Sequence, residues 1–379
     1  MGQQFYQKYK LGILGGGQLG RMLVQAGTDW NITFSVLDPD PHAPCSSCCE
    51  FQTGNLTDYD TVLAFGQSCD LITIEIENIN VAALKELVKQ GKKVFPQPEV
   101  IELVQNKRKQ KSFYKDKNIP TSEFILVESK NDVIDHKSFL PAVHKLASEG
   151  YDGRGVQLLR TEGDLGKAFD APGVLEKLID FEKEIAVIVS RNEQGEVEVY
   201  PAVEMIFHPE ANLVEYLFSP AQLTPDVASK AWQIAIRIIT ELNMVGLLAV
   251  EMFVTRDHQV LVNEIAPRPH NSGHQSIEAN VTSQYHQHLR AILNLPLGDA
   301  CIRQPSAMVN LLGEENFSGE AKYNGLEEVL NISGVYVHLY GKKITKPFRK
   351  MGHVTIVDSD IESLKKKATF VKQTLKITA

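Results

Sequence analysis

No apolar stretch of this chain approaches the roughly 20 residues that a helix needs to cross a bilayer, so an integral helical membrane protein is excluded. The opening MGQQFYQKYK has no apolar core of the secretory-signal kind. Tyr6 stands where a myristoylation signal would carry Ser or Thr, and a cytoplasmic protein is expected. Cysteine is scarce and odd in number, five in 379 residues, which fits a reducing compartment better than a disulfide framework. Three of the five form Cys45-Ser46-Ser47-Cys48-Cys49, a C-x-x-C without a second Cys or His pair at zinc spacing, read here as small side chains in a strand-flanking loop. Basic residues are in deficit, 39 Lys and Arg against 47 Asp and Glu, and the net charge of −8 argues against a general nucleic-acid binder. Internal repeats and low-complexity tracts are also missing. What is present, 43% hydrophobic and 23% charged residues, describes an ordinary globular chain long enough for two or three domains.

The most informative stretch is Leu247–His274, LLAVEMFVTRDHQVLVNEIAPRPHNSGH. Leu247–Thr255 and Val260–Ala266 read as strands joined by the polar turn Arg256–Gln259. A hairpin centred between Asp257 and His258 sets Glu251 and Glu264 opposite each other on one face, with Cβ atoms about 5 Å apart. Such a pair repels unless a positive charge intervenes. Paired hard oxygen ligands without His or Cys suit Mg²⁺, with Mn²⁺ as the alternative, held jointly with substrate phosphates. Salt bridges to an arginine such as Arg268 would also answer the repulsion. Simple alternation turns Asn263 to the opposite face.

Before this stretch, residues 10 to about 105 alternate in the α/β manner: strands at Lys10–Leu14, Thr33–Leu37 and Leu71–Ile76, with helices from Leu19 and Val81, predict a small parallel sheet. Gly15-Gly16-Gly17-Gln18-Leu19-Gly20 follows the first strand, opens a helix, and satisfies G-x-G-x-x-G, with Asp38 ending the next strand. A dinucleotide cofactor, a substrate phosphate and a plain tight turn all fit. A second glycine loop, Gly150-Tyr151-Asp152-Gly153-Arg154-Gly155, lies between predicted strands Phe139–Lys145 and Val156–Arg160, so its backbone donors sit on a hairpin able to fold over phosphates, with Lys145 aimed at the same place. Taken alone, Glu176, Lys177, Leu178, Ile179 and Glu184 read as surface positions, and the basic run Lys107–Lys117 as a solvated helix face. An amphipathic helix opens at Pro225. Arg268, His270, Asn271, Ser272 and His274 form a dense polar loop after Glu264, suited to substrate contact. Short strands and a terminal helix, Ile361–Leu375, close the chain.

In order, Leu14–Gly20, Thr73–Asn78 (TIEIEN), Gly150–Gly155, Val262–His274, Tyr340-Gly341-Lys342 and Arg349–His353 resemble the motifs of ATP-grasp ligases, and among them those of the 5-(carboxyamino)imidazole ribonucleotide synthetase family of purine biosynthesis. The resemblance implies an ATP-grasp fold: an N-terminal Rossmann-like parallel-sheet domain over residues 1–105, an ATP-grasp domain over 106–296 with a lid at about 120–185, and a C-terminal β-rich domain over 297–379. It implies ATP-dependent carboxylation of aminoimidazole ribonucleotide by bicarbonate through carboxyphosphate, in a homodimer. By the same resemblance Lys107, Lys145 and the flap Gly150–Gly155 hold ATP phosphates, Glu176, Lys177, Leu178 and Ile179 meet adenine, and Glu184 the ribose. Asn263 and His208 also face the nucleotide, and Glu251 and Glu264 hold Mg²⁺. Gln18, Leu19, Glu75, Arg268, Asn271, Ser272, Lys342, Arg349 and Lys350 take the ribonucleotide or carboxyphosphate, with Asp152, Arg154, Arg268 and Lys342 nearest the chemistry. One departure is Glu149, which stands where the family has a glycine. Formate-dependent glycinamide ribonucleotide transformylases share the N-terminal motif and Pro267–His270. An NAD-binding oxidoreductase would rest on Gly15–Gly20 alone, and an inactive binding module is conceivable through Glu149.

Overall fold

Five short apolar segments build the N-terminal sheet. Glu50–Thr53, Thr33–Asp38, Lys10–Leu14, Leu71–Ile74 and Lys93–Val94 lie in that spatial order, and every neighbouring pair is parallel. The structure, a computed structural model, describes residues 9–148, 155–207 and 214–379. Helices Tyr59–Gln67 and Val81–Lys89 begin where Asp58 and Asn80 accept backbone amides from Thr61 and Ala83. Three of these elements escape the sequence reading: Glu50–Thr53 is a largely exposed edge strand without apolar alternation, Lys93–Val94 is only two residues long, and helix Tyr59–Gln67 buries only Val62, Phe65 and Gly66. The strand from Leu71 ends at Ile74, two residues short of the expected Ile76. Because Lys10–Leu14 is flanked by a strand on each side, its C-terminal end is a topological switch point, and Gly15–Gly17, Asp38 and Glu75 gather there from three adjacent strands.

The largest sheet has nine strands. Its main path runs Val260–Ala266, Gly246–Thr255, Phe181–Arg191, Val203–Phe207, Val214–Ser219, Ser306–Leu312, Lys350–Val357 and Val335–Leu339, all pairs antiparallel. It thus continues without a break from the acidic hairpin into the C-terminal residues. A separate four-stranded sheet orders Phe124–Val127, Gly173–Lys177, Ala142–Leu146 and Val156–Leu159.

Alternation along the central strands sorts their side chains to two faces. Ile185, Val187 and Val189, with Leu248, Val250, Met252 and Val254, pack under helix Pro225–Glu241 through Val227, Ala231, Ala235, Ile238 and Ile239. The opposite face carries Glu184, Ala186 and Glu251, since Ala186 pairs with Glu251. In the hairpin, Val254 pairs with Val260, Phe253 with Leu261 and Met252 with Val262, a register centred on Asp257, and His258 closes the tip with a left-handed φ of 61°. Between Glu251 and Met252 the register shifts by a β-bulge, leaving Asn263 as the extra residue and bringing Glu264 opposite Glu251. The expected pairing is present, but the expected hairpin centre is not. The bulge also corrects the placement of Asn263, which joins Glu264 on the acidic face instead of alternating away from it.

Leu248 is fully buried between this sheet and the helix. Leu248→Ala should cost about 2–5 kcal/mol of stability in urea denaturation. A loss under about 1 kcal/mol would contradict this packing.

Candidate active site

Each member of the acidic pair meets a different nitrogen. Lys107, the first residue of helix Lys107–Asp116, places Nζ 2.9 Å from Glu264 Oε2, and His270 Nε2 lies 3.5 Å from Glu251 Oε1. Lys107, then Lys145, holds the Glu264 carboxyl below its ordinary range, while burial followed by the charges of Glu264 and Glu184 raises Glu251. Glu184, two residues before Ala186 on the same face, is pushed up to about 7 by burial and then by Glu264. The Glu264 side chain remains 44% exposed, so this face opens to solvent. Arg268, considered above as a partner for the pair, instead reaches the N-terminal domain, with Nε 2.9 Å from Glu77 Oε1.

Lys145 donates to Asn263 Oδ1 at 2.9 Å and lies 3.1 Å from Glu176 Oε1. Glu176 is only 4% exposed, which overturns its reading as a surface charge. Its other oxygen receives Lys111 Nζ at 2.9 Å and Ser122 Oγ at 2.8 Å. Burial alone would raise the Glu176 carboxyl, but Lys145 and Lys111 together hold it down at about 2. Lys111 is 2% exposed and is lowered to about 8, chiefly by burial. The sequence reading missed it by treating the whole basic run as solvated. The available signal was its spacing, one helical turn after Lys107 and on the same face.

At the end of strand Gly173–Lys177, Lys177 turns away from this cluster, donating to the carbonyls of Phe139 and Leu140 at 3.0 and 3.3 Å. The Leu178 amide is engaged by Pro141 O at 3.1 Å, and Ile179 is half-buried. Gly155 enters the next strand with φ of 72°, a conformation that favours glycine. Glu149, Gly150, Tyr151, Asp152, Gly153, Arg154 and His208 lie outside the described residues.

The glycine turn receives two of the protein's own carboxylates. Gly16 N donates to Asp38 Oδ2 at 2.6 Å, Gly17 N to Glu75 Oε2 at 3.2 Å and Leu19 N to Glu75 Oε1 at 3.3 Å. A Cβ on Gly15 would stand 2.6 Å from Glu75 Oε2. The tight approach explains the glycines without any external phosphate. Burial pushes Glu75 up to about 7 against the pull of Arg268. Glu77 was not singled out by the sequence reading, although alternation through Thr73–Asn78 sets it on the same side as Glu75.

Lys342, in the loop after strand Val335–Leu339, donates to Gln18 Oε1 at 2.9 Å and to Lys350 O at 2.8 Å, so it joins the C-terminal residues to the first helix. Arg349 donates to Ile344 O at 2.6 Å. Ser272 is buried and its hydroxyl lies 2.9 Å from His270 Nδ1, which orients the ring toward Glu251 and leaves Ser272 a positioning part. Asn271 opens the short turn Asn271–Gly273 beside it. The loop after the acidic hairpin, the switch point and the Gly341–Lys350 segment are thereby tied together. Among the described residues no three His, Cys, Asp or Glu side chains converge into a full metal cage. Two carboxylates without a third match an ion that takes its remaining ligands from phosphate and water.

Three family descriptions match in succession: a ribonucleotide synthetase preATP-grasp domain over residues 8–105, an ATP-grasp domain over 112–285, and a phosphoribosylaminoimidazole carboxylase C-terminal domain over 306–367. The chain is 35% identical over 363 residues to N5-carboxyaminoimidazole ribonucleotide synthase of Bacillus subtilis, covering 94% of this chain and 93% of that protein. It is similar to the crystal structure of N5-carboxyaminoimidazole ribonucleotide synthetase from Thermotoga maritima, with TM-score 0.90, 40% identity and coverage of 98% and 99% of the two chains. A synthase from Aspergillus clavatus in complex with ADP and 5-aminoimidazole ribonucleotide superposes with TM-score 0.87 at 32% identity, covering 97% of this chain and 98% of that one. The chain spans 65% of the length of the plant and yeast phosphoribosylaminoimidazole carboxylases that it also matches.

The raised Glu75 carboxyl carries a pH signature. Its folded value of about 7 exceeds the ordinary 4.5, so the stability it contributes is complete below about 4.5 and is lost as pH rises through about 7. Glu75→Gln should therefore gain on the parent protein as pH rises across that window in thermal melts. A difference independent of pH would overturn the assignment.

Proposed function

The chain belongs to the N5-carboxyaminoimidazole ribonucleotide synthetase family of ATP-grasp enzymes, and from that premise we propose that it carboxylates 5-aminoimidazole ribonucleotide with bicarbonate at the expense of ATP. The observation that carries this reading is the acidic pair Glu251/Glu264 with Lys107 and Lys145 on one open face, joined by Arg268 to Glu77 in the segment after strand Leu71–Ile74. The division at residues 105 and 296 is retained as part of the proposal.

In this scheme the polyphosphate of ATP lies along Lys107 and Lys145, with Gly150–Gly155 above it. Glu176, Lys177, Leu178 and Ile179 border the adenine, Glu184 the ribose, and His208 stands nearby. Glu176 does this through its neighbours: its charge offsets Lys111 and fixes Lys145. A bound Mg²⁺, or Mn²⁺, would be held by Glu251 and Glu264, and it supplies charge neutralisation at the phosphates. Asn263, placed by the bulge, orients the Lys145 amine.

The chemistry divides into two steps. A bicarbonate oxygen attacks the γ-phosphorus and the bond to ADP breaks, giving carboxyphosphate; positioning and electrostatic stabilisation are the main demands here. The exocyclic amine then attacks the carboxyl carbon, or the CO₂ set free from it. An N–C bond forms, phosphate leaves, and the amine loses a proton. Gln18, Leu19, Glu75, Asn271 and Ser272 would define the ribonucleotide side, with Arg268, Lys342, Arg349 and Lys350 supplying cations and Asp152 and Arg154 approaching from the flap. Closing that flap would keep carboxyphosphate from water. A homodimer completes the proposal.

Phosphate release from Mg-ATP should rise when aminoimidazole ribonucleotide and bicarbonate are both added. Stimulation instead by formate with glycinamide ribonucleotide would redirect the assignment, and no stimulation by either would sink it. Glu264→Gln should lower kcat by about 100-fold or more, as loss of a charged group at a phosphoryl-transfer centre does, with an unchanged circular dichroism spectrum. Retained turnover would remove the metal assignment.

A further inference from the structure

Three thiols crowd one turn directly behind the switch point. The Cys48 amide donates to Cys45 O at 3.0 Å, closing a turn whose first and last residues are these two cysteines. Cys48 Sγ and Cys49 Sγ lie 3.3 and 3.4 Å from the same Cys45 carbonyl. Cys45 is buried, Cys49 half-buried and Cys48 exposed, so the group has one solvent-facing sulfur backed by two others. Arg21 fixes the turn by donating to Pro44 O at 3.0 Å, and lies against Gly341 next to Lys342.

The buried thiol touches the glycine turn itself. Cys45 N donates to Gly16 O at 3.0 Å, and Cys45 Sγ reaches Gly17 O at 3.8 Å. A Cβ on Gly20 would stand 3.3 Å from Cys45 Sγ. Any movement of that sulfur is therefore felt by the residues that carry Gln18 and Leu19.

We propose that Cys48 is a hydroperoxide-reactive thiol that forms a disulfide with Cys45 and so displaces the Gly15–Gly20 turn. The ends of such a turn lie within about 7 Å, which overlaps the Cα separation of about 4.4–6.8 Å that a disulfide requires. The adjoining Cys45 and Cys49 sulfurs, followed by the charge of Arg21, lower the Cys48 thiol, whereas Cys45 and Cys49 are raised. An exposed thiol of lowered pKa beside a second thiol is the arrangement of a peroxide sensor. In the first step the Cys48 thiolate attacks a peroxide oxygen. An S–O bond forms, the O–O bond breaks, and hydroxide leaves to take up a proton, giving the sulfenic acid. In the second, Cys45 attacks that sulfur, an S–S bond forms, the S–O bond breaks and water departs. Two thiols and one hydrogen peroxide become one disulfide and two waters. The Cys45 sulfur then no longer donates to Gly17 O.

The thiol chemistry is independent of the reaction proposed above, whereas its effect on ribonucleotide binding rests on that reading. Intact protein treated with hydrogen peroxide should lose two thiols, and peptide mapping should recover Cys45 linked to Cys48. Cys48→Ser should prevent the link while Cys301→Ser, at an exposed lone cysteine, leaves it unchanged. The oxidised enzyme should show KM for the ribonucleotide raised about tenfold, the equilibrium equivalent of losing one good hydrogen bond, and dithiothreitol should restore it. An unlinked Cys45 after treatment, or a link surviving in Cys48→Ser, overturns the thiol assignment. A complete link with unchanged KM in an active enzyme overturns its connection to the turn. A reduced enzyme that never turns over the ribonucleotide tells against the proposed reaction, and the peptide map still decides the disulfide.

Discussion

Repulsion among carboxylates that the fold places on one face governs this molecule. Glu184, Glu251 and Glu264 share the open side of three adjacent strands. Two full charges about 5 Å apart at an effective dielectric of about 20 would repel by on the order of 3 kcal/mol, and the raised Glu251 and Glu184 carboxyls are the mark of burial together with that repulsion. The fold meets this cost locally with Lys107, Lys145 and His270, brought from a helix start, strand Ala142–Leu146 and a loop. The apolar reverse of the same strands, packed under helix Pro225–Glu241, supplies the burial that holds the charges in register.

The switch point solves the opposite problem. A helix N-terminus carries partial positive charge and unsatisfied amides, commonly met by a ligand anion. Here Asp38 and Glu75 meet it from within. Positive charge for an anionic ligand must then come from elsewhere, and Lys342, anchored on Gln18, and Arg268, anchored on Glu77, enter from two other parts of the chain. Under the proposed function, substrate recognition at this end would be a property of segments far apart in the chain brought together.

What was legible in the sequence was whatever depends on local periodicity or on an ordered set of motifs. The parallel sheet, the amphipathic helix from Pro225 and the facing of Glu251 with Glu264 could all be read, the last partly by fortune. Strand period two gives no notice of a bulge, so Asn263 was assigned to the wrong face while the pairing beside it came out right. Glu176 and Lys111 were illegible for a related reason. Each charge looks like a surface residue until its partner arrives from a distant segment, and the ion pairs of Glu176 with Lys111 and Lys145 are created only by tertiary packing. The glycine turn is legible as a strand-to-helix turn, with a dinucleotide, a substrate phosphate and a plain tight turn all open, because nothing in G-x-G-x-x-G says that the approaching group is the chain's own Glu75.

The bulge at Asn263 has a meaning for how this chain can vary. Between Glu251 and Glu264 the hairpin works as a reading frame with one extra residue inserted. Removing Asn263 alone would restore plain alternation with Glu264 still opposite Glu251, so what the extra residue adds is a second polar side chain on the acidic face, the one that meets Lys145. The facing of the two carboxylates thus survives a change in length at Asn263, whereas the contact that holds the Lys145 amine in place does not.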